Sequence, residues 1–140
     1  MGEILNVVMY LALGIILMQV GIWLVDLLIP CNFPEEIKKG NMAVGYISAG
    51  TSISVGILIK SAVMSKTIEE VSEGILVGVG STLIYFGLGM VALLLGYLGL
   101  KAVNRKYNLN SEIGNGNPAA GLMVMGFFIG MAVALSGVLY

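Results

Sequence analysis

Apolar residues fill four long stretches of this chain, at 4–29, 42–64, 74–100 and 118–140, and polar residues gather in the three short intervals between them. An α-helix needs about 20 predominantly apolar residues to cross a hydrocarbon core of roughly 30 Å, and each stretch meets that length. The pattern predicts an all-α, polytopic membrane protein with four transmembrane helices and three short loops.

The polar intervals are themselves patterned. Glu36, Ile37, Gly40, Asn41, Ala43, Gly45, Gly50 and Ile53 recur 76 positions later as Glu112, Ile113, Gly116, Asn117, Ala119, Gly121, Gly126 and Ile129. A constant offset with no insertion is the mark of an internal copy. It predicts a tandem repeat of a two-helix hairpin: one integral membrane domain over 1–140, with repeat one at 1–64 and repeat two at 74–140. Each copy would hold two spans, so both would enter the membrane in the same direction, related by an axis along its normal.

Composition strengthens this picture. Hydrophobic residues make up 58% and charged residues 11% of the chain, against about 25% charged in soluble domains, so the expected surroundings are a lipid bilayer. The net charge of -1 comes without a basic run, and no nucleic-acid partner is expected. Cys31 stands alone and histidine is absent, which rules out an internal disulfide and removes the commonest general base and metal ligand. The reading is therefore a non-enzyme with no cofactor and no metal. Glu3 occupies the place of a positive n-region, and the apolar run over 4–25 exceeds the roughly 7–15 residues of a signal-peptide core, so a first span is expected there.

The basic residues give an orientation. Lys38, Lys39, Lys101, Arg105 and Lys106 fall in the first and third intervals, leaving Lys60 and Lys66 for the other side. Cytoplasmic loops collect positive charge, so a plasma-membrane protein with both termini extracytoplasmic is expected.

Four sets of residues carry specific expectations. Gly40-Asn41 and Gly116-Asn117 open the second and fourth spans, where asparagine suits an N-cap and Pro118 the first helical position; the competing reading is an ion or head-group site at paired helix N-termini. On the third span Gly74, Gly78, Ser81, Tyr85, Gly89, Ala92, Gly96 and Gly99 advance by fours and threes, a stripe that lets a neighbouring helix approach closely. Gly126, Gly130 and Ala134 form a similar row on the fourth span, again expected to be a helix contact.

On the second span Ser48, Thr51 and Ser52 share one arc, and their counterparts are Val124, Phe127 and Phe128. Such hydroxyls bond to backbone carbonyls or across an interface, the alternative being a polar path. The first span contributes Gln19 and Asp26, seven apart on one face, with Trp23 as an interfacial anchor. Asp26 is expected near the cytoplasmic boundary, neutralised by water, Lys38, Lys39 or Lys101, and Gln19 is expected to bond to another helix or subunit. The acidic interval Glu69, Glu70, Glu73 matches no calcium loop and reads as a solvated helix start.

The pattern Glu36-Ile-x-x-Gly40-Asn41-x-Ala43-x-Gly45, repeated from Glu112, resembles the short prokaryotic membrane proteins called domain of unknown function 350, or uncharacterised protein family 0719. The resemblance covers essentially the whole chain and implies a four-helix plasma-membrane protein with no established substrate and no assigned catalytic residues. Small multidrug transporters are similar in size, but they carry a membrane-embedded glutamate in the first span where this chain has Gln19 and the more peripheral Asp26. The leading functional expectation is a non-catalytic membrane component, homo-oligomeric or bound to a partner membrane protein. The alternative is a channel or ion-coupled transporter along Gln19, Asp26, Ser48, Thr51 and Ser52.

Overall fold

A computed structural model describes residues 1–65 and 74–139. Its helices in chain order are α1 (Gly2–Leu28), α2 (Phe33–Lys38), α3 (Met42–Met64), α4 (Ile75–Val103), α5 (Leu109–Gly114) and α6 (Pro118–Leu139). The long four are apolar and long enough to cross a membrane. At 1.5 Å per residue, the 23 residues of α3 reach about 35 Å. Three of the expected spans differ slightly at their ends: α1 begins at Gly2 and stops at Leu28, α4 runs on to Val103, and α6 is described as far as Leu139.

Helices α2 and α5 correct the expectation that the intervals are merely loops. Each is six residues long, too short for hydrophobic periodicity, and each is started by a side-chain cap. The Asn32 carboxamide oxygen accepts from Glu35 N at 3.2 Å, and Asn108 does the same for Ser111 N at 3.2 Å. Pro34 near the α2 start and the acidic first turns, Glu35 and Glu36 in one and Glu112 in the other, suit a helix N-terminus. Buried apolar residues anchor each short helix: Phe33 is 2% exposed in α2, and Leu109 and Ile113 are both 0% exposed in α5.

The bundle is organised around α3, which touches every other helix and makes its most extensive contact with α6. Half of its apolar window is buried, against 11% for α1. Lipid removes the hydrophobic gain from bringing two spans together, so association rests on close packing and interhelical polar contacts. Small residues supply the closeness. A Cβ on Gly121 would stand 2.5 Å from Ala43 O, and one on Gly50 2.8 Å from Met125 Cα. Gly21 meets Val55, Gly89 meets Leu58, and Gly96 meets Met131 and Phe127. Gly78 is buried as well. The core between these contacts holds Ile47, Leu58, Leu93, Tyr97, Val124 and Phe128, each at most 1% exposed.

The small-residue stripe on α4 therefore packs through Gly78, Gly89 and Gly96, while Gly74 and Gly99 at its ends are exposed. The row on α6 behaves otherwise. Gly126 and Gly130 are exposed, and a Cβ on either would meet nothing within 4 Å, so the expected helix contact is not made inside this chain. The reason is rotational. Val124, Phe128 and Ala132, all 0% exposed, point into the bundle, and residues two positions away lie about 200° round the helix. The acidic interval Glu69, Glu70, Glu73, with Lys66, lies outside the described residues.

Candidate functional site

Among the described residues, a cluster of polar side chains gathers at one end of the bundle, where α2 and α5 turn into α3 and α6. Both turns have the same construction. At the first, Gly40 takes φ of 82°, the left-handed region that glycine enters without a Cβ penalty, and Gly116 also takes φ of 82° at the second. Gly40 N donates to Ile37 O at 3.0 Å and Asn41 N to Glu36 O at 2.9 Å; Gly116 N and Asn117 N do the same to Ile113 O and Glu112 O at 3.1 and 3.0 Å. This is the Schellman arrangement that closes a helix C-terminus.

The residue that completes each short helix also opens the next long one. Asn41 Oδ1 accepts from Val44 N at 3.2 Å, and Asn117 Oδ1 from Ala119 N at 3.0 Å. Their amide nitrogens donate to Glu36 and Glu112, both at 2.8 Å. The repeated Glu, Gly and Asn thus take part in one kind of hydrogen-bonded turn. Two bonds differ: the cap oxygen accepts from the residue three on at Asn41 but two on at Asn117, and Asn41 Nδ2 also donates to Ile113 O at 2.9 Å, tying the first turn to α5.

This wiring sets the electrostatics. The Asn41 amide bond holds the Glu36 carboxyl below its ordinary range, opposed by partial desolvation and assisted by Lys39, whose ammonium lies 3.5 Å away. Cys31 lines a neighbouring polar depression of about 560 Å³ with Pro30, Glu36, Lys101, Asn108, Asn110 and Ser111. Burial raises its thiol above the usual value, and the nearby Glu36 and Asp26 carboxylates add to the effect. A less acidic thiol is a poorer nucleophile at neutral pH. Tyr97, buried at 1% exposure, sends its hydroxyl from α4 to Asn110 Oδ1 and pins α5 to the bundle.

A second recess opens sideways between α1, α2 and α3. Gln19, Ile22, Trp23, Asp26, Phe33, Pro34, Ile37 and Ser48 line a groove of about 370 Å³. Three residues of the polar set, Gln19, Asp26 and Ser48, are brought together here. Thr51 and Ser52 are not among its lining: Thr51 is fully buried and donates to Ile47 O at 2.8 Å, the backbone bond expected of such a hydroxyl, and Ser52 is half-buried on α3.

One expectation for α1 needs correction. Asp26 is half-buried, but among the described residues none of Lys38, Lys39 or Lys101 forms an ion pair with it. Its Oδ1 instead accepts from Phe33 N at 3.0 Å, because the four-residue connection folds α2 back against the end of α1. Gln19 is exposed and makes no hydrogen bond to a described residue; the α1 face that packs carries Leu17, Gly21 and Val25. Phe33, Pro34 and Ile37 join the groove as well, a contribution that hydrophobic patterning does not predict. The signal was present, since Asn32 and Asn108 obey the same 76-residue offset as the turns.

A family model described as Domain of Unknown Function (DUF350) matches residues 1–139. A protein of Aquifex aeolicus (strain VF5) described as a UPF0719 transmembrane protein is 27% identical over 124 residues, which are 88% of this chain and 45% of that protein. The chain thus spans about half the length of the curated relative it matches. No solved structure matches it. Four apolar, membrane-length helices and a transmembrane relative make this a multi-pass membrane protein in a lipid bilayer. Matched across 1–139, the chain belongs to the DUF350 family of uncharacterised integral membrane proteins.

Proposed function

We propose that this protein is a non-catalytic, oligomeric component of the plasma membrane that acts with a partner protein, built by tandem duplication of a two-helix hairpin. The observation that carries the reading is how the hydroxyls within the spans are used. Thr51, Ser54 and Thr82 are fully buried and donate to Ile47 O, Gly50 O and Gly78 O at 2.7 to 2.9 Å. Hydroxyls bonded to their own helix in a close-packed interior support a structural role rather than a hydrated path.

The other parts of the proposal have their own support. Two turns that share their Schellman bonds and their Asn-to-Glu bond argue for duplication. The exposed row Gly126, Gly130, Ala134 offers a second chain the close approach that small residues allow. Lys38, Lys39, Lys101, Arg105 and Lys106 lie at the α2 and α5 end, which supports a cytoplasmic position for that end and extracytoplasmic termini.

A second reading, an ion-coupled carrier, is favoured by the convergence of Gln19, Asp26 and Ser48 on one groove. Proton and ion flux into liposomes separates the two, run with the wild type, Asp26→Asn and a bulky Ser48→Trp in the groove wall. The component reading expects no flux from folded, inserted protein. Flux that both variants lower without loss of folded protein would replace it with the carrier.

A further inference from the structure

We propose that the lateral groove between α1, α2 and α3 binds the ammonium headgroup of a membrane lipid, with Asp26 as its counter-ion and Trp23 as its aromatic wall. After Glu3, Asp26 is the sole charged residue of α1, and it lies two residues from the helix end. A carboxylate at a bilayer boundary is costly unless a cation or water meets it. Here Oδ1 is used by Phe33 N, and no lysine or arginine among the described residues is paired with the carboxylate.

The walls favour an amphiphile over a hydrated ion. Ile22, Phe33 and Ile37 make the lining predominantly apolar, and Trp23 and Ile37 are 58% and 49% exposed, which leaves the groove open from the side. A small cation would leave that surface unfilled. The indole face attracts an ammonium group as the carboxylate does, and the two together disfavour a headgroup whose sole charge is a phosphate.

Depth fits the same occupant. Gln19 lies two helical turns, about 10 Å, deeper than Asp26. A zwitterionic glycerolipid carries its ammonium outermost and its ester carbonyls deeper, so Asp26 faces the cation while the Gln19 amide and the Ser48 hydroxyl supply donors at ester level. The phosphate, which links the two, lies at a level between them on the open side of the groove. This binding stands whether the protein acts as a membrane component or as a carrier, because it requires no transport.

Trp23 is the sole tryptophan of the chain, so its fluorescence reports this groove directly. The full-length protein is reconstituted in vesicles of phosphatidylethanolamine and phosphatidylglycerol, with one lipid or the other brominated to quench nearby indole. The brominated ethanolamine lipid should quench with an apparent association constant about fivefold higher than the glycerol lipid, the size expected of one partly screened charge pair. Asp26→Asn, which retains an acceptor for Phe33 N, should bring the ratio to about one, and Asp26→Glu should keep it. Equal quenching by the two lipids in the wild type overturns the proposal whatever the variants do, as does a preference that survives Asp26→Asn. A third arm adds dodecylammonium to phosphatidylglycerol vesicles: relief of quenching there without any ethanolamine-lipid preference would assign the groove to free lipophilic amines and overturn the lipid assignment.

Discussion

Adding one methyl group at Gly121 tests how the bundle is held together, because the residue that matches it 76 positions earlier, Gly45, provides a built-in control. A Cβ at Gly121 falls 2.5 Å from Ala43 O and 2.8 Å from Ala43 C, both backbone atoms that no rotamer change can move. Ordinary contact begins at 3.4 Å and Ala43 Cα is nearer still, so α3 and α6 must separate by about 1 Å at that level. A gap of 0.5–1 Å forfeits roughly a quarter to a half of each dispersion contact across it, and inserting a methyl into a close-packed site costs about 1–3 kcal/mol. The α3–α6 contact is the largest in the molecule, which puts Gly121→Ala near the upper end, at about 2–3 kcal/mol. Gly45→Ala meets nothing within 4 Å and should lie within about 0.5 kcal/mol of the wild type, or above it by helix propensity. The second matched pair should split in the opposite sense: Gly50→Ala destabilises against Met125, and Gly126→Ala does not. Reversible unfolding in mixed micelles, followed by circular dichroism, gives all four values. Equal losses within each pair would refute the account of packing, since they would mean that the matched positions make equivalent contacts.

Three further outcomes follow from the polar end of the bundle. Tyr97→Phe removes the hydroxyl that binds Asn110 and should cost about 1 kcal/mol, with faster amide exchange in α5 and unchanged exchange in α3. Glu36 has a folded-state value below its ordinary 4.5, so its contribution to stability is complete above that pH and is lost as pH falls through the lower folded value. Acid titration of unfolding should show this loss in the wild type and a flatter profile in Glu36→Gln. Cys31 should react slowly with an impermeant maleimide at neutral pH, at a rate still climbing past its ordinary 9.0, since its thiol is raised. In intact cells it should be protected until permeabilisation; labelling without it would reverse the proposed orientation.

The long helices were legible because twenty or more apolar residues have few alternatives in a membrane, and α3 matches its sequence bounds at both ends. The Gly-Asn turns were legible too, since glycine and asparagine at a helix start leave few other roles. Helices α2 and α5 were not, because six residues carry no periodic signal and their cause lies in the caps Asn32 and Asn108. The facing of Gly126 and Gly130 was hidden for another reason. Small residues mark a surface that permits close approach, but which of several permissive faces is used depends on how Val124 and Phe128 fit α3, a matter of two helices at once. The groove shows the same limit. Gln19 and Asp26 could be placed on one face of α1, but Phe33 and Ile37 reach it through the fold of a connection whose course the sequence does not state.

The dominance of the α3–α6 contact also has a consequence for how the protein is made. These are the second and fourth spans, so a ribosome must deliver α4 and the α5 turn before α3 can meet its main neighbour. Until then the Ala43, Ile47 and Gly50 face of α3 is open to lipid, and Asn41 lacks the Ile113 carbonyl that it later bonds. Insertion of α1, α3 and α4 therefore leaves the central helix unfinished, and α6, emerging after them, is the span that locks it.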